Sequence, residues 1–201
     1  MGLIALGAFH GVNPGMGWLF AVALGMQERR RAAVCRAMLP LALGHALAIA
    51  AAVALAIVAG AVMPLRAIQW SVGALLLALG VSRIFRHRHV RWVGMQVGLK
   101  DLTLWSFLMA SAHGAGLMVV PLVLAGVAMP NCTMHSSGGA LAAVWATLLH
   151  SAGYLAVSAA VALVVFEKLG VGLLRKAWLN LDLVWAAALV VTSLATLAWA
   201  R

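Results

Sequence analysis

Apolar positions in this chain come in long runs rather than in the short alternations of a soluble domain. Runs on the scale of about 20 residues, the length that crosses a bilayer as a helix, fall at Leu3–Met26, Met38–Met63, Ala67–Ile84, Leu102–Met129, Ala140–Phe166 and Leu179–Trp199. In lipid every backbone N–H and C=O must find its partner within the protein, which leaves helices as the natural reading of such runs. The third run is the shortest; the fourth and fifth are long enough to tilt or break. The fold class predicted is therefore an all-α membrane protein of six transmembrane helices. It forms a single transmembrane domain over residues 1–201, with one half in about 1–90 and the other in about 100–201.

The polar stretches between the runs alternate in character. Glu28, Arg29, Arg30, Arg31 and Arg36 mark the first connection, and Met63-Pro64-Leu65-Arg66 makes a near-turn of the second. Arg83, Arg86, Arg88, Arg91, Lys100 and Asp101 mark the third. The fourth, from Pro130 to Gly139, holds no carboxylate, lysine or arginine, and the fifth carries Glu167, Lys168, Arg175 and Lys176. Of the 14 Lys and Arg residues, only Arg66 and Arg201 fall outside the first, third and fifth connections. That asymmetry predicts a positive-inside arrangement with the basic loops cytoplasmic and both termini on the non-cytoplasmic side. The first and fourth spans then run in opposite directions, so the two halves form a 3+3 inverted-topology repeat. The implied location is the bacterial inner (plasma) membrane.

Composition agrees. With 65% hydrophobic and 9% charged residues, the chain lacks the polar surface of a soluble domain, which carries roughly 25% charged residues. A net charge of +10 would suit a nucleic-acid binder, but the clustering of the basic residues in short loops argues for membrane lipid as their neighbour and no nucleic acid as partner. Cys35 in a basic loop and Cys132 in an uncharged one are expected on opposite sides, so they do not form a disulfide. No basic stretch precedes the first apolar run, and a cleavable signal is not expected.

Four histidines interrupt the apolar runs as two matched pairs. His10 opens His-Gly-Val-Asn-Pro-Gly-Met and His113 opens His-Gly-Ala-Gly-Leu-Met; His45 and His150 follow 35 and 37 positions later. A histidine in hydrocarbon is costly unless it meets a partner or a wet cavity. One intramembrane histidine is commonly a hydrogen-bond partner between helices, whereas two register-matched pairs predict one shared polar site built twice. Pro14 cannot donate to the carbonyl of His10, and the glycines around it make a break inexpensive. Loosened backbone oxygens are thus expected near His10, with Asn13 adding an amide. The fourth run repeats this more mildly, with Gly114 and Gly116 after His113 and with Pro121 freeing the carbonyl of Leu117. Broken helices near the midplane are where transporters of this plan bind cargo.

Imidazole ligates divalent transition metals. The predicted metal site is His10, His45, His113 and His150 with Asn13, the ion being cargo rather than a resident cofactor, and no organic cofactor is expected. His10 and His113 are the expected primary ligands or proton carriers; His45 and His150 complete the cavity. Without an intramembrane carboxylate the site favours transient binding, and the same imidazoles could instead relay protons. Met129, Cys132, Met134 and His135 gather soft donors in the fourth connection, and Cys132, Met134 and His135 are candidates for capturing metal outside the membrane. Met16, Met109 and Met118 read as packing residues, and His87 and His89 as part of a solvated basic loop. Trp18, Trp92, Trp105, Trp178 and Trp199 fit interfacial belts, and Trp70 and Trp185 mark the starts of the third spans. Ser111, Ser151 and Tyr154 lack an acidic partner, so no enzyme is expected. A homodimer is compatible with the Gly- and Ala-rich helix faces, which also serve internal packing.

In its six-span plan and in His10 to Gly17, Gly44-His45, His113-Gly114 and His150, the chain resembles the lysine-exporter superfamily. The resemblance is greatest to its nickel/cobalt transporters and its urease- and hydrogenase-accessory-like branches. It implies a small membrane transporter with a metal ion or small solute as partner. The metal-transporting branches carry His-x4-Asp-His in the first span, whereas here Asn13-Pro14 stands where the acidic ligand is expected. Amino-acid or thiol-compound export and a role in metalloprotein assembly remain alternatives.

Overall fold

A computed structural model describes residues 1–85, 98–127, 138–169 and 174–200, and no strand occurs among them. The helices are α1 (Gly2–Val12), α2 (Trp18–Glu28), α3 (Arg31–Gly60), α4 (Leu65–Phe85), α5 (Leu99–Ala112), α6 (Ala115–Val127), α7 (Gly138–Val164) and α8 (Leu174–Trp199). A 3-10 turn at Pro14–Met16 joins α1 to α2, and a π-helical turn at Val165–Leu169 follows α7.

The second, third and sixth apolar runs each fall on one helix, the fifth passes from α7 into the π-helical turn, and the first and fourth are broken. In the first, Pro14 takes the opening position of the 3-10 turn, where its missing N–H does no harm. The Asn13 side chain caps that turn by accepting from the Gly15 N–H at 2.8 Å. Gly17 then turns the chain at φ 108°, a left-handed conformation that glycine alone adopts freely. The fourth run breaks harder than its sequence suggests. Helix α5 stops at Ala112, Gly114 adopts φ 71°, and α6 leaves at 60° to α5. Pro121, expected to loosen this run, lies inside α6, which continues through it. The bend comes from the left-handed glycine, which redirects the chain, whereas an internal proline removes only one backbone bond.

Three helices are long and apolar enough to cross a membrane (Arg31–Gly60, Leu65–Ser82 and Leu141–Lys168), and the bent pair Leu99–Ala112 with Ala115–Leu124 makes a fourth candidate. Gly2–Val12 and Val184–Trp199 are shorter apolar helices. Leu39, Leu43 and Leu47 on α3, and Leu141, Trp145 and Leu148 on α7, point outward at one-turn spacing. Such apolar outer faces are compatible with membrane insertion and would be a liability in water.

Packing is crossed between the halves: α1 lies on α7, α3 on α5, and α4 on α8, with α3 and α7 also in contact. Each of the first three pairs is joined by the same two devices. A glycine admits the neighbouring helix: Gly7 against the His150 carbonyl, Gly44 against the Thr103 carbonyl, and Gly73 against Leu197. A serine then donates across the seam, from Ser158 to the Gly11 carbonyl at 3.1 Å, from Ser106 to the Leu41 carbonyl at 2.6 Å, and from Ser193 to the Gly73 carbonyl at 2.7 Å. Exposed ion pairs join Glu28 to Arg30 and Arg36, and Arg31 to Glu167 at 3.3 Å. The last brings the first connection to the end of α7, at one end of the bundle.

Candidate functional site

The crossed packing brings three of the four histidines together. His10 from α1, His45 from α3 and His150 from α7 are fully buried. Their ring centroids lie 4.8 Å apart for His10 and His150, 5.4 Å for His45 and His150, and 5.7 Å for His10 and His45. The glycine seam sets this spacing, because Gly7 lies one turn before His10 and rests on the backbone of His150 itself.

Tyr154 and Trp185 complete the walls. Tyr154, one turn after His150, stacks on His45 at 3.9 Å. Its hydroxyl donates to the Met16 carbonyl at 2.8 Å, with Ser106 and Ser158 within hydrogen-bonding reach. Trp185 from α8 meets His10 edge-to-face at 4.4 Å and His113 at 5.9 Å, and Phe9 stacks on it at 5.1 Å. Neither residue's place in the site was evident from its own stretch of sequence. For Tyr154 the four-residue step from His150 was the available signal, since i and i+4 share a helix face; for Trp185 no local signal existed.

The Nδ1 of His10 lies 2.8 Å from the Leu6 carbonyl, and the Nδ1 of His113 lies 2.8 Å from the Met109 carbonyl. A carbonyl only accepts, so each Nδ1 carries the proton and each Nε2 the lone pair. The Nε2 of His10 and both ring nitrogens of His45 have no hydrogen-bond partner. Neither ring nitrogen of His150 meets hydrogen-bond geometry, although the Leu3 carbonyl is within electrostatic reach. Buried polar atoms without partners are rare and costly, and among the described residues five of the eight belong to these three rings.

The expected loose carbonyls are not loose. The His10 oxygen accepts from the Asn13 N–H at 3.2 Å, that of Gly11 from Ser158, and that of Val12 from the Trp18 indole at 3.2 Å. The Met16 oxygen accepts from Tyr154, and that of His113 from the Trp185 indole at 3.1 Å. Breaking a helix in a dry interior frees oxygens, and these donors supply what the helix no longer does. Trp18 therefore belongs to the core and not to an interfacial belt. Asn13 is committed to its turn through its oxygen, while its Nδ2 has no partner. It borders His113: a Cβ added to Gly15 would meet Asn13 Oδ1 at 3.1 Å and His113 Nε2 at 3.6 Å.

Among the described residues, no group of three or more His, Cys, Asp or Glu side chains stands ready to hold a metal ion. The imidazoles are gathered, but their nitrogens do not yet form a ligand set. Cys132, Met134 and His135, with His87 and His89, lie outside the described residues. Met16 and Met118 are buried in the main apolar cluster. Trp70 is 47% exposed against 2% for Trp185, so the two third-span tryptophans are not equivalent. Glu28 and Glu167 are engaged in surface ion pairs, and Asp101 accepts from the Gly98 N–H at 2.9 Å at the start of α5.

Tyr154→Phe tests the bracing directly. It keeps the ring stack and leaves the Met16 carbonyl without its buried donor, a loss of about 1–3 kcal/mol. The expected outcome is a lower thermal midpoint for the detergent-purified protein; an unchanged midpoint would refute the bracing role.

Compared with protein-family models, with curated proteins and with solved structures, the chain matches none.

Proposed function

We propose that this chain is a small secondary transporter that moves a divalent or soft transition-metal ion through a histidine-lined site within the membrane. The observation that carries the reading is the meeting of His10, His45 and His150, fully buried, from three helices, with unpartnered ring nitrogens. Ring centroids 4.8–5.7 Å apart match the spacing of imidazoles that share one ion and are too close to admit an amino acid between them. Binding requires the rings to turn toward a common point.

The proposed topology is six spans in a 3+3 inverted repeat, both termini non-cytoplasmic, in a bacterial inner membrane. Exchanging α1 with α5, α2 with α6, α3 with α7 and α4 with α8 turns the α1–α7 contact into the α5–α3 contact and maps α3–α7 and α4–α8 onto themselves. The histidine Nδ1-to-carbonyl contact four residues back and the left-handed glycine recur in both halves. The Arg31–Glu167 pair suits a first and fifth connection on one side, the cytoplasmic one by their charge. The likeness to the lysine-exporter superfamily points the same way.

A second reading keeps the plan and makes the imidazoles proton carriers for export of a small organic solute. It draws on the absence, among the described residues, of a metal-ready ligand set. Reconstitution separates the two. Vesicles holding the purified protein and an entrapped metal indicator are expected to admit Zn²⁺, Co²⁺ or Ni²⁺ well above protein-free vesicles. Proton movement that accompanies an amino acid or thiol, with no metal entry, would establish the second reading and end the first.

A further inference from the structure

We propose that the ion is held by three imidazoles, those of His10, His45 and His150, and that His113 stands outside this set across Trp185. The choice of cargo rests on the transport reading above; the ligand set is argued and tested by binding alone.

The four histidines are equivalent in sequence and are not equivalent in space. His10, His45 and His150 are mutual neighbours, each within 5.7 Å of the other two. Two imidazoles on one tetrahedral ion, with metal–nitrogen bonds of about 2.1 Å, place their centroids about 5 Å apart. The helices already hold the rings at that separation, and what remains is ring orientation. For His10 the choice of atom is fixed: its Nδ1 is held by the Leu6 carbonyl, so Nε2 is the ligand. A backbone carbonyl that orients the ring from the far nitrogen is the usual support of a metal-bound histidine. The ring nitrogens of His45 and His150 make no hydrogen bond, so turning inward costs His45 its stack on Tyr154 and His150 its approach to the Leu3 carbonyl, and no bond of full geometry.

His113 is within electrostatic reach of His10 but is seated differently. Its ring meets Trp185, its carbonyl accepts from the Trp185 indole, and its Nε2 neighbours the Asn13 turn. The same indole packs on His10 at 4.4 Å. Trp185 is therefore in ring contact with the triad on one hand and His113 on the other, and its N–H bond fixes it there. The nearby backbone oxygens are occupied, and the described carboxylates Glu28, Asp101 and Glu167 are engaged elsewhere.

This donor set selects the ion. Three neutral nitrogens without thiolate suit borderline divalent ions such as Zn²⁺ or Co²⁺ rather than Cu⁺, and without carboxylate they do not suit Mg²⁺. Three protein ligands leave a fourth tetrahedral position open, as in exchangeable rather than structural sites. No protein charge offsets the ion, so it is released readily, as cargo must be.

Co²⁺ is the probe, because tetrahedral nitrogen coordination gives it strong visible absorption that octahedral aqua-Co²⁺ lacks. Purified protein stripped with chelator and titrated with Co²⁺ is expected to develop that absorption. His113→Ala is expected to retain it with affinity within about threefold, while His45→Ala and His150→Ala weaken binding on the order of 100-fold or more. Gain-of-signal variants guard against misfolding: His150→Cys is expected to add a thiolate-to-cobalt charge-transfer band, and His113→Cys is not. A band in His113→Cys, or equal loss of binding in His113→Ala and His150→Ala, overturns the triad. Metal entry into vesicles would then still stand as a separate result. Wild-type protein that transports metal but never shows tetrahedral Co²⁺ overturns the triad and spares the transport reading; protein that neither binds nor moves metal overturns both.

Discussion

His10→Ala is expected to reduce metal flux into reconstituted vesicles on the order of 100-fold or more, while the protein still inserts and purifies as the wild type does. His10 stands at the end of α1, where the chain breaks, with its Nε2 lone pair unpartnered and its Nδ1 held by Leu6. Removing it takes away a ligand and, at the same time, a buried polar atom without a partner. Such atoms destabilise a fold, so their removal is neutral or mildly stabilising, less the cavity the ring leaves behind. Function and stability should thus separate: flux collapses while the thermal midpoint shifts little. A residue that served only packing would show the reverse, normal flux with a lowered midpoint. Flux within twofold of the wild type would remove His10 from the transport path.

The helical architecture was legible in the chain because long apolar runs favour helices, whose backbone groups pair within the run. The six apolar runs map onto eight helices, with breaks only in the first and fourth. The first break was legible because Asn13, Pro14, Gly15 and Gly17 each have a conformational meaning there. The second was expected to be the milder, from Gly114, Gly116 and Pro121 together, whereas Gly114 alone makes a sharp bend and the helix runs on through Pro121. Whether a glycine takes a left-handed conformation depends on what its neighbours must avoid, and that is not written locally. The histidines were legible as pairs and not as a group. Sequence spacing places His10 and His113 as counterparts, whereas the packing of α1 on α7 puts His10 beside His150, and α8 brings Trp185 next to His113. The fate of the Gly11, Met16 and His113 carbonyls was invisible for the same reason, since their donors Ser158, Tyr154 and Trp185 lie far along the chain.

Gly7→Ala is expected to destabilise the protein by about 1–3 kcal/mol, and to lower flux with it. A Cβ at Gly7 would run into the carbonyl of His150, and the obstacle is backbone rather than a side chain that could swing aside. The seam is closed from both sides: Gly153 on α7 presses in turn on the Ile4 carbonyl of α1. Neither helix can yield alone, so the added methyl must separate α1 from α7. These two helices carry His10 and His150, the closest pair of imidazoles in the site at 4.8 Å. A separation on the order of an ångström between the backbones therefore becomes a wider gap between ring nitrogens that must reach one ion. Gly2→Ala is the matched control, with nothing within 4 Å of the new Cβ at the start of the same helix. The thermal midpoint of Gly2→Ala in detergent should equal that of the wild type, and that of Gly7→Ala should fall below both. Should the two variants melt alike, the seam is looser than drawn, and the spacing of the histidines has some other cause than the contact between Gly7 and His150.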